Sequence, residues 1–379
     1  MARRIPLGEL CISKVPTLPY GFDDIIDYID ISSVDNESKA IVAHQEIEGT
    51  EAPSRARQLL EVGDVLVSTV RPNLNAVAYV ETAYKHTLVG STGYCVLRTK
   101  KGVDNRFVFY FCQSPYFIED MTAQATGASY PAVTASIVRN ATVPDYSLEK
   151  QKEIAQCLDS VTTLLVLRKQ QLAKLDELVK SRFVGMFGDC QNEALIGDVI
   201  SISRGASPRP ISAFITDRDD GVNWIKIGDV SENSLYITKT EEKITPEGAK
   251  KSRMVHKGDF ILSNSMSFGR PYILGINGCV HDGWLIMSDF KETFNELYLY
   301  HAIRSDDVQY QFSGKVNGAT VKNLNSDLVK NTFIKVPSME LQNQFAAFVE
   351  QTDKSKLAVQ QSIDQLETLK KSLMQKYFG

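Results

Sequence analysis

The chain has 379 residues, 43% of them hydrophobic and 23% charged, which is enough for two domains of ordinary size with separate cores. A net charge of −4 argues against a protein that coats nucleic acid non-specifically, while leaving room for local basic patches. No apolar stretch approaches the roughly 18 residues of a membrane span, and Met1-Ala2-Arg3-Arg4-Ile5-Pro6 lacks the apolar core of a signal peptide, so a cytoplasmic location is expected.

In chain order, short β-branched runs separated by Gly, Asn, Asp and Pro predict strands at 65–70, 76–80 and 94–97, and again at 260–263 and 284–287. A helix-like patch follows each set, at 107–112 and 296–303. Helices do not alternate regularly with strands, so the expected class is α+β, two pseudo-symmetric domains each built on a twisted sheet. The six cysteines, Cys11, Cys95, Cys112, Cys157, Cys190 and Cys279, lack the paired spacing of a zinc site and are expected as buried thiols.

The chain repeats itself. Val143-Pro144-Asp145-Tyr146-Ser147-Leu148-Glu149-Lys150-Gln151 runs through Leu172, Leu175, Leu178 and Ser181 to Phe187-Gly188. Val336-Pro337-Ser338-Met339-Glu340-Leu341-Gln342-Asn343-Gln344 runs through Ile363, Leu366, Leu369 and Ser372 to Phe378-Gly379. The Val-Pro pairs are 193 residues apart and the Phe-Gly pairs 191, which predicts a small indel within the helix. Upstream, Leu7-Gly8-Glu9 answers Ile196-Gly197-Asp198, and Tyr28-Ile29-Asp30-Ile31 answers Trp224-Ile225-Lys226-Ile227. Gly63-Asp64 through Ser68 answers Gly258-Asp259 through Ser263, each followed by Arg-Pro (Arg71-Pro72, Arg270-Pro271), and Gly127-Ala128 answers Gly318-Ala319. Such duplication implies a pseudo-symmetric molecule that meets two similar things at once. The expected divisions are a domain over 1–145, a helix over 146–188, a domain over 189–337 and a helix over 338–379.

Ile154, Leu158, Val161, Leu165, Leu172, Leu175 and Val179 fall on alternating four- and three-residue steps, with Arg168 and Arg182 filling two of them. Phe345, Val349, Val359, Ile363, Leu366, Leu373 and Tyr377 do the same, interrupted by Thr352, Lys356 and Lys370. Such a seam asks for a partner helix, and a continuous helix of about 38 residues would be roughly 57 Å long. Antiparallel pairing of the two would set the domains at opposite ends of a bar; two independent helices would leave the seam unexplained.

Catalytic signatures are missing. There is no Gly-rich loop followed by Lys-Ser or Lys-Thr, no Gly-x-Gly-x-x-Gly and no methyltransferase tetrapeptide, and Pro144-Asp145 with Glu149-Lys150 departs from a nuclease motif in its spacing. His44, His86, His256, His281 and His301 fit no metal template; Cys279-Val280-His281 comes nearest and reads as structural. No catalytic residue, metal or cofactor is expected in this chain.

Polar loops bracketed by aromatics and glycine recur at equivalent places. After the Gly-Asp strand come 68–75 in one domain, with Ser68, Arg71, Asn73 and Asn75, and 263–270 in the other, with Asn264, Ser267 and Arg270. Arg and Asn make bidentate contacts with guanine and adenine edges, and Ser suits phosphate oxygens. A second pair is 127–134, with Tyr130, and 318–325, with Lys322 and Asn323; Thr134 and Asn325 there are expected as helix caps. A third is 203–210, with Arg204 and Arg209, whose thinner counterpart carries Lys14.

Two divergent domains that open near Leu-Gly-Glu or Ile-Gly-Asp, carry Gly-Asp-Val or Gly-Asp-Phe before Ser and later Arg-Pro, and close with Val-Pro into a long helix resemble the specificity subunit of type I restriction-modification systems. The resemblance covers essentially the whole chain; Trp224-Ile225-Lys226-Ile227-Gly228-Asp229-Val230 is especially similar to the opening segment of such target recognition domains. It implies a non-catalytic subunit whose two domains each read half of a split, asymmetric sequence in double-stranded DNA, with a coiled coil setting the unread spacer. It further implies two modification (methyltransferase) subunits docked on the helices and restriction/translocase subunits beyond them. S-adenosylmethionine, ATP and Mg would be bound by those partners. From the residues alone, a coiled-coil scaffold presenting two protein-binding domains stands as the alternative.

Overall fold

The computed structural model describes residues 3–230, 234–264, 269–313 and 324–379. The chain folds as two compact units, Met1–Gln170 with Val359–Gly379, and Gln171–Ala358. Each long helix, Leu148–Phe187 and Met339–Phe378, is 40 residues and passes from one unit into the other. Among the described residues, no helix is long and apolar enough to cross a membrane.

The two units share a sheet plan. In the first, a four-stranded sheet runs Gln45–Glu48, Ile25–Ile29, Thr87–Ser91, Ala56–Leu59, with antiparallel, parallel and antiparallel pairings in turn. In the second, Glu242–Ile244, Val222–Ile225, Gly278–Val280 and Arg253–Val255 repeat that order and those directions. A second sheet, Tyr94–Leu97, Val65–Ser68, Val77–Tyr79, has its counterpart in Trp284–Ser288, Phe260–Ser263, Pro271–Leu274, flanked there by Ser201–Arg204 and Tyr236–Ile237. The predicted strand at 65–70 forms over Val65–Ser68, and those at 94–97, 260–263 and 284–287 form in full; all are buried on both faces. Helices Asn105–Phe111 and Glu296–Ile303 occupy the two predicted patches, opened by Asp104 and Asn295, whose side chains accept backbone N–H groups of the first turn.

A short strand pair closes each unit, Arg4–Pro6 with Thr142–Pro144 and Glu193–Leu195 with Phe333–Lys335. The start of one long helix then packs against the end of the other. In the first unit Ile154 and Leu158 share a core with Met374 and Phe378, and Lys169 reaches Glu367 at 4.0 Å, so the segments run antiparallel. In the second, Phe187 meets Phe345 at 5.5 Å between ring centroids and Asp176 pairs with Lys356 at 2.7 Å, again antiparallel. A basic side chain crowns each buried helix end, where free carbonyls favour positive charge: Arg4 donates to the Phe378 carbonyl, and Lys335 to that of Gly188.

The indel expected within the helix lies before it. Ser147 and Ser338 both accept from the backbone N–H three residues on, and both helices end at Phe, so helix positions correspond at 191 residues throughout. Asp145 and Tyr146 are the extra residues, in the link between Pro144 and the helix. Gln151 and Gln342 thus become equivalent, and both are buried. Gln151 accepts from Asp104 N at 3.0 Å and donates to Tyr146 O at 2.8 Å; Gln342 accepts from Asn295 N at 2.8 Å and donates to Pro337 O at 2.9 Å. Each glutamine satisfies backbone groups where a domain meets its helix, groups that would be costly to bury unpaired.

Of the seam, Ile154, Leu158, Val161, Leu165 and Val179, with Phe345, Val349, Val359 and Ile363, are buried; Thr352, one of the expected interruptions, is buried too, its hydroxyl donating to Phe348 O. Leu178 and Leu369, equivalent positions, are exposed. The expectation of six buried thiols needs correction: Cys11, Cys95, Cys112 and Cys279 are buried, but Cys157 and Cys190, on and just after the first long helix, are only half-buried.

Candidate nucleic-acid interface

In the first unit the structure joins two loops that the sequence offered separately. Val70 bridges Ala132, Arg71 N donates to Pro131 O at 2.7 Å, and Val133 N donates to Thr69 O at 2.9 Å. The Arg71 guanidinium thereby sits over the Tyr130 ring, 4.6 Å from its centroid, and Tyr130 is 66% exposed. A stacked arginine and an open aromatic face make a surface suited to phosphates and bases. Arg71 and Asn75 both adopt left-handed backbone (φ 49° and 48°) around the turn Pro72–Leu74, which leaves Arg71 and Asn73 outward. Gly127 has φ 104°, and a Cβ there would lie 2.7 Å from the Tyr130 carbonyl oxygen, so this loop requires glycine.

Two of the proposed contacts turn inward instead. Ser68 is buried, its hydroxyl donating to Val70 O, and Asn75 is buried with its amide donating to Cys112 O at 2.8 Å. Both sit at the buried margin of the turn that presents Arg71, and build it rather than project from it. Lys14 is exposed on the segment leading to Thr17, which bridges Gln58 on the edge strand. That same edge carries Arg57 over the ring of Tyr20, 3.8 Å from its centroid, with Tyr20 91% exposed. No sequence pattern marks this pair, because Tyr20 and Arg57 are far apart in the chain. Nor does one mark Lys39, whose ammonium donates to Asn75 O at 2.5 Å and whose pKa is pushed down to about 8 by burial and then by Lys370.

In the second unit three candidates gather around one residue that sequence reasoning missed, Asp282. Arg204 Nε donates to its carbonyl at 3.0 Å, Asn264 Nδ2 donates to the same oxygen at 3.1 Å, and Arg209 pairs with its carboxylate at 3.3 Å. Ser207 donates to the carboxylate at 2.8 Å, and that bond is the main cause holding Asp282 below its usual carboxylate range. Arg209 remains 81% exposed at the side chain, oriented but open, whereas Asn264 is buried. Gly205 lets the loop close, since a Cβ there would lie 2.1 Å from His281 O. Arg270 is half-buried, its backbone N accepted by Ser263 Oγ at 3.1 Å. Ser267, Lys322 and Asn323 lie outside the described residues. His281 Nε2 accepts from Ile227 N at 3.2 Å and Cys279 is buried, so the Cys-x-His pair serves the fold. The capping roles hold: Thr134 accepts from Ile137 N at 3.2 Å and Asn325 from Leu328 N at 2.8 Å.

The family model described as "Type I restriction modification DNA specificity domain" matches twice, over residues 9–177 and 192–368. The type I restriction enzyme MjaVIII specificity subunit of Methanocaldococcus jannaschii is 22% identical over 126 residues, 32% of this chain and 29% of that protein. A solved structure described as showing complex assembly and conformational transition of the type I R-M system superposes with a TM-score of 0.69 at 23% identity, covering 99% of this chain and 97% of the other. The type I S subunit of M. genitalium gives 0.57 at 13% identity over 100% and 96%, and the HsdS subunit of Thermoanaerobacter tengcongensis 0.50 at 23% over 99% and 96%.

Proposed function

The chain belongs to the type I restriction-modification DNA specificity family, and from that premise we propose that it is the non-catalytic DNA-reading subunit of a cytoplasmic methyltransferase and endonuclease complex. Each domain reads one half of a bipartite, asymmetric target in double-stranded DNA. The observation that carries this reading is the pairing of one sheet plan with two different arginine surfaces, Arg71 on Tyr130 and Arg209 on Asp282. Equivalent frames with unlike reading groups are what unlike half-sites require. The helices, 40 residues each, set the spacer, and their exposed apolar positions, Leu164, Val166, Leu167 and the equivalent Leu178 and Leu369, support docking of two modification subunits. Restriction/translocase subunits complete the complex, and S-adenosylmethionine, ATP and Mg are bound by the partner subunits.

Genome-wide methylation mapping in a host carrying this chain with its modification subunits tests the reading. The expected result is one split motif; removing a matched stretch from both helices, near Thr162-Thr163 and Ser355-Lys356, changes the unread spacer and leaves both half-sites intact. Altered half-sites would overturn the spacer role. DNA selection without any sequence preference would return the chain to the scaffold reading, and methyl transfer by the pure chain would refute a non-catalytic role.

A further inference from the structure

We propose that Asp27, His44 and Glu46, on the four-stranded sheet of the first unit, form a binding site for a divalent transition-metal ion of the zinc type. Strand register creates it. Ile25–Ile29 pairs antiparallel with Gln45–Glu48 so that Asp27 stands directly opposite Glu46. His44, just before that strand, lies on the same face, its Nε2 3.5 Å from Asp27 Oδ1. Two carboxylates directly opposite each other repel, and that arrangement destabilises a sheet unless a positive group lies between them.

The state of Asp27 points to such a group. Asp27 is fully buried; its Oδ2 accepts from His86 N at 2.7 Å, while its Oδ1 is buried without a hydrogen-bond partner. Oδ1 faces His44 Nε2 at 3.5 Å, too far for a good hydrogen bond. It is close to the separation of about 3.4 Å that two ligands adopt on a tetrahedral ion with bonds of about 2.0–2.1 Å. One ligand atom from each of Asp27, His44 and Glu46 lies within 4.8 Å of the other two. The surroundings are also those of a ligand set. The His86 backbone fixes one oxygen of Asp27 and so aims the other, and the buried, unpartnered His86 Nε2 stands 3.8 Å from Glu46 Oε2, in place to hold that carboxylate from outside.

One imidazole and two carboxylates are a borderline donor set. It suits Zn, Co, Ni or Mn ions, is too hard for Cu(I), and through the imidazole disfavours Ca and Mg. His44 and Glu46 are exposed, so an ion can enter from solvent and keep water in its remaining positions. The second unit supplies a control, for its corresponding cross-strand pair is Asn223 opposite Lys243, an amide and an ammonium in place of two carboxylates. The inference stands apart from the DNA-reading role.

The test is equilibrium dialysis of the full chain, stripped with chelator and titrated with Zn²⁺ alone, with Co²⁺ spectroscopy in parallel. The expected result is one ion per chain and visible d–d bands from Co²⁺. His44→Ala should weaken binding at least about tenfold, the loss that removal of even an outer partner can cause. His256→Ala, an exposed histidine in the other unit, should leave it unchanged. Asp27→Asn should behave as His44→Ala does; because Asp27 is buried and that variant could misfold, the exposed His44 is the deciding position. No saturable binding by the wild type, or equal binding by wild type and His44→Ala, would overturn the proposal.

Discussion

The two units answer one folding problem with the same parts and carry different chemistry at the same places. Where a domain meets its helix they agree: Gln151 and Gln342 bind the same kind of backbone groups, and Phe378 and Phe187 close equivalent aromatic cores. At matched positions elsewhere they part, with Tyr110 against His301, 191 residues on, and the Asp27–Glu46 pair against Asn223–Lys243. The agreement lies where buried backbone must be satisfied and the choices are few. The differences lie at a helix position packed toward the core and on one face of the four-stranded sheet, where only a side chain is at stake and more than one residue type can be accommodated.

The comparison breaks most severely at the helix ends. Phe378→Ala in the first unit and Phe187→Ala in the second should each cost about 3–5 kcal/mol by the loss of a fully buried ring and the cavity left behind. Chemical denaturation of the two variants should show similar losses; a large difference would mean that the two cores are not equivalent.

Next comes acid. Burial, then Arg304 and Lys356, push His301 down to about 4, below the 6.5 expected in the unfolded chain. The unfolded state therefore binds more protons between those values, and stability present above pH 6.5 is lost as pH falls toward 4, by about 3 kcal/mol when complete. His301→Tyr, which copies the first unit's residue, should remove that part of the pH dependence in denaturation measured at pH 7 and pH 4.5. An unchanged slope would assign it to other groups.

Reading surfaces should separate the units functionally. Arg71→Ala should relax preference in one half-site and Arg209→Ala in the other, each by about 1–3 kcal/mol, measured by methylation of variant target sequences in the assembled complex. Relaxation of both half-sites by either change would dissolve the assignment of one domain to one half. The smallest effects belong to the caps: Thr134→Ala and Asn325→Ala should each cost about 1 kcal/mol of thermal stability and leave target preference unaltered.

Much of this was legible early because it is local. Helix seams repeat at three and four residues, caps act over three, and β-branched runs mark buried strands, so the long helices, Thr134, Asn325 and the strand at 260–263 could all be read from neighbouring residues. The repeat itself, compared along the chain, was enough to suggest the family. The candidate contacts were less legible. Arg71 and Arg209 stand exposed at the surface, but Ser68, Asn75 and Asn264 turn inward, because which side chain a turn buries depends on what packs beneath it.

Sequence alone thus determined the two-fold plan, the type of each main element and the absence of familiar catalytic motifs, all carried by periodicity and order. Tertiary structure alone decided that loops 68–75 and 127–134 form one surface, that Arg204, Arg209 and Asn264 converge on Asp282, and that the extra residues Asp145 and Tyr146 precede the helix. It also decided that Asp27 faces His44 and Glu46 across a strand pair. The reason is physical: strand register and loop closure are fixed by contacts between residues far apart in the chain, and a one-residue slip of one strand would break the Asp27–Glu46 pairing and turn one of its side chains to the other face.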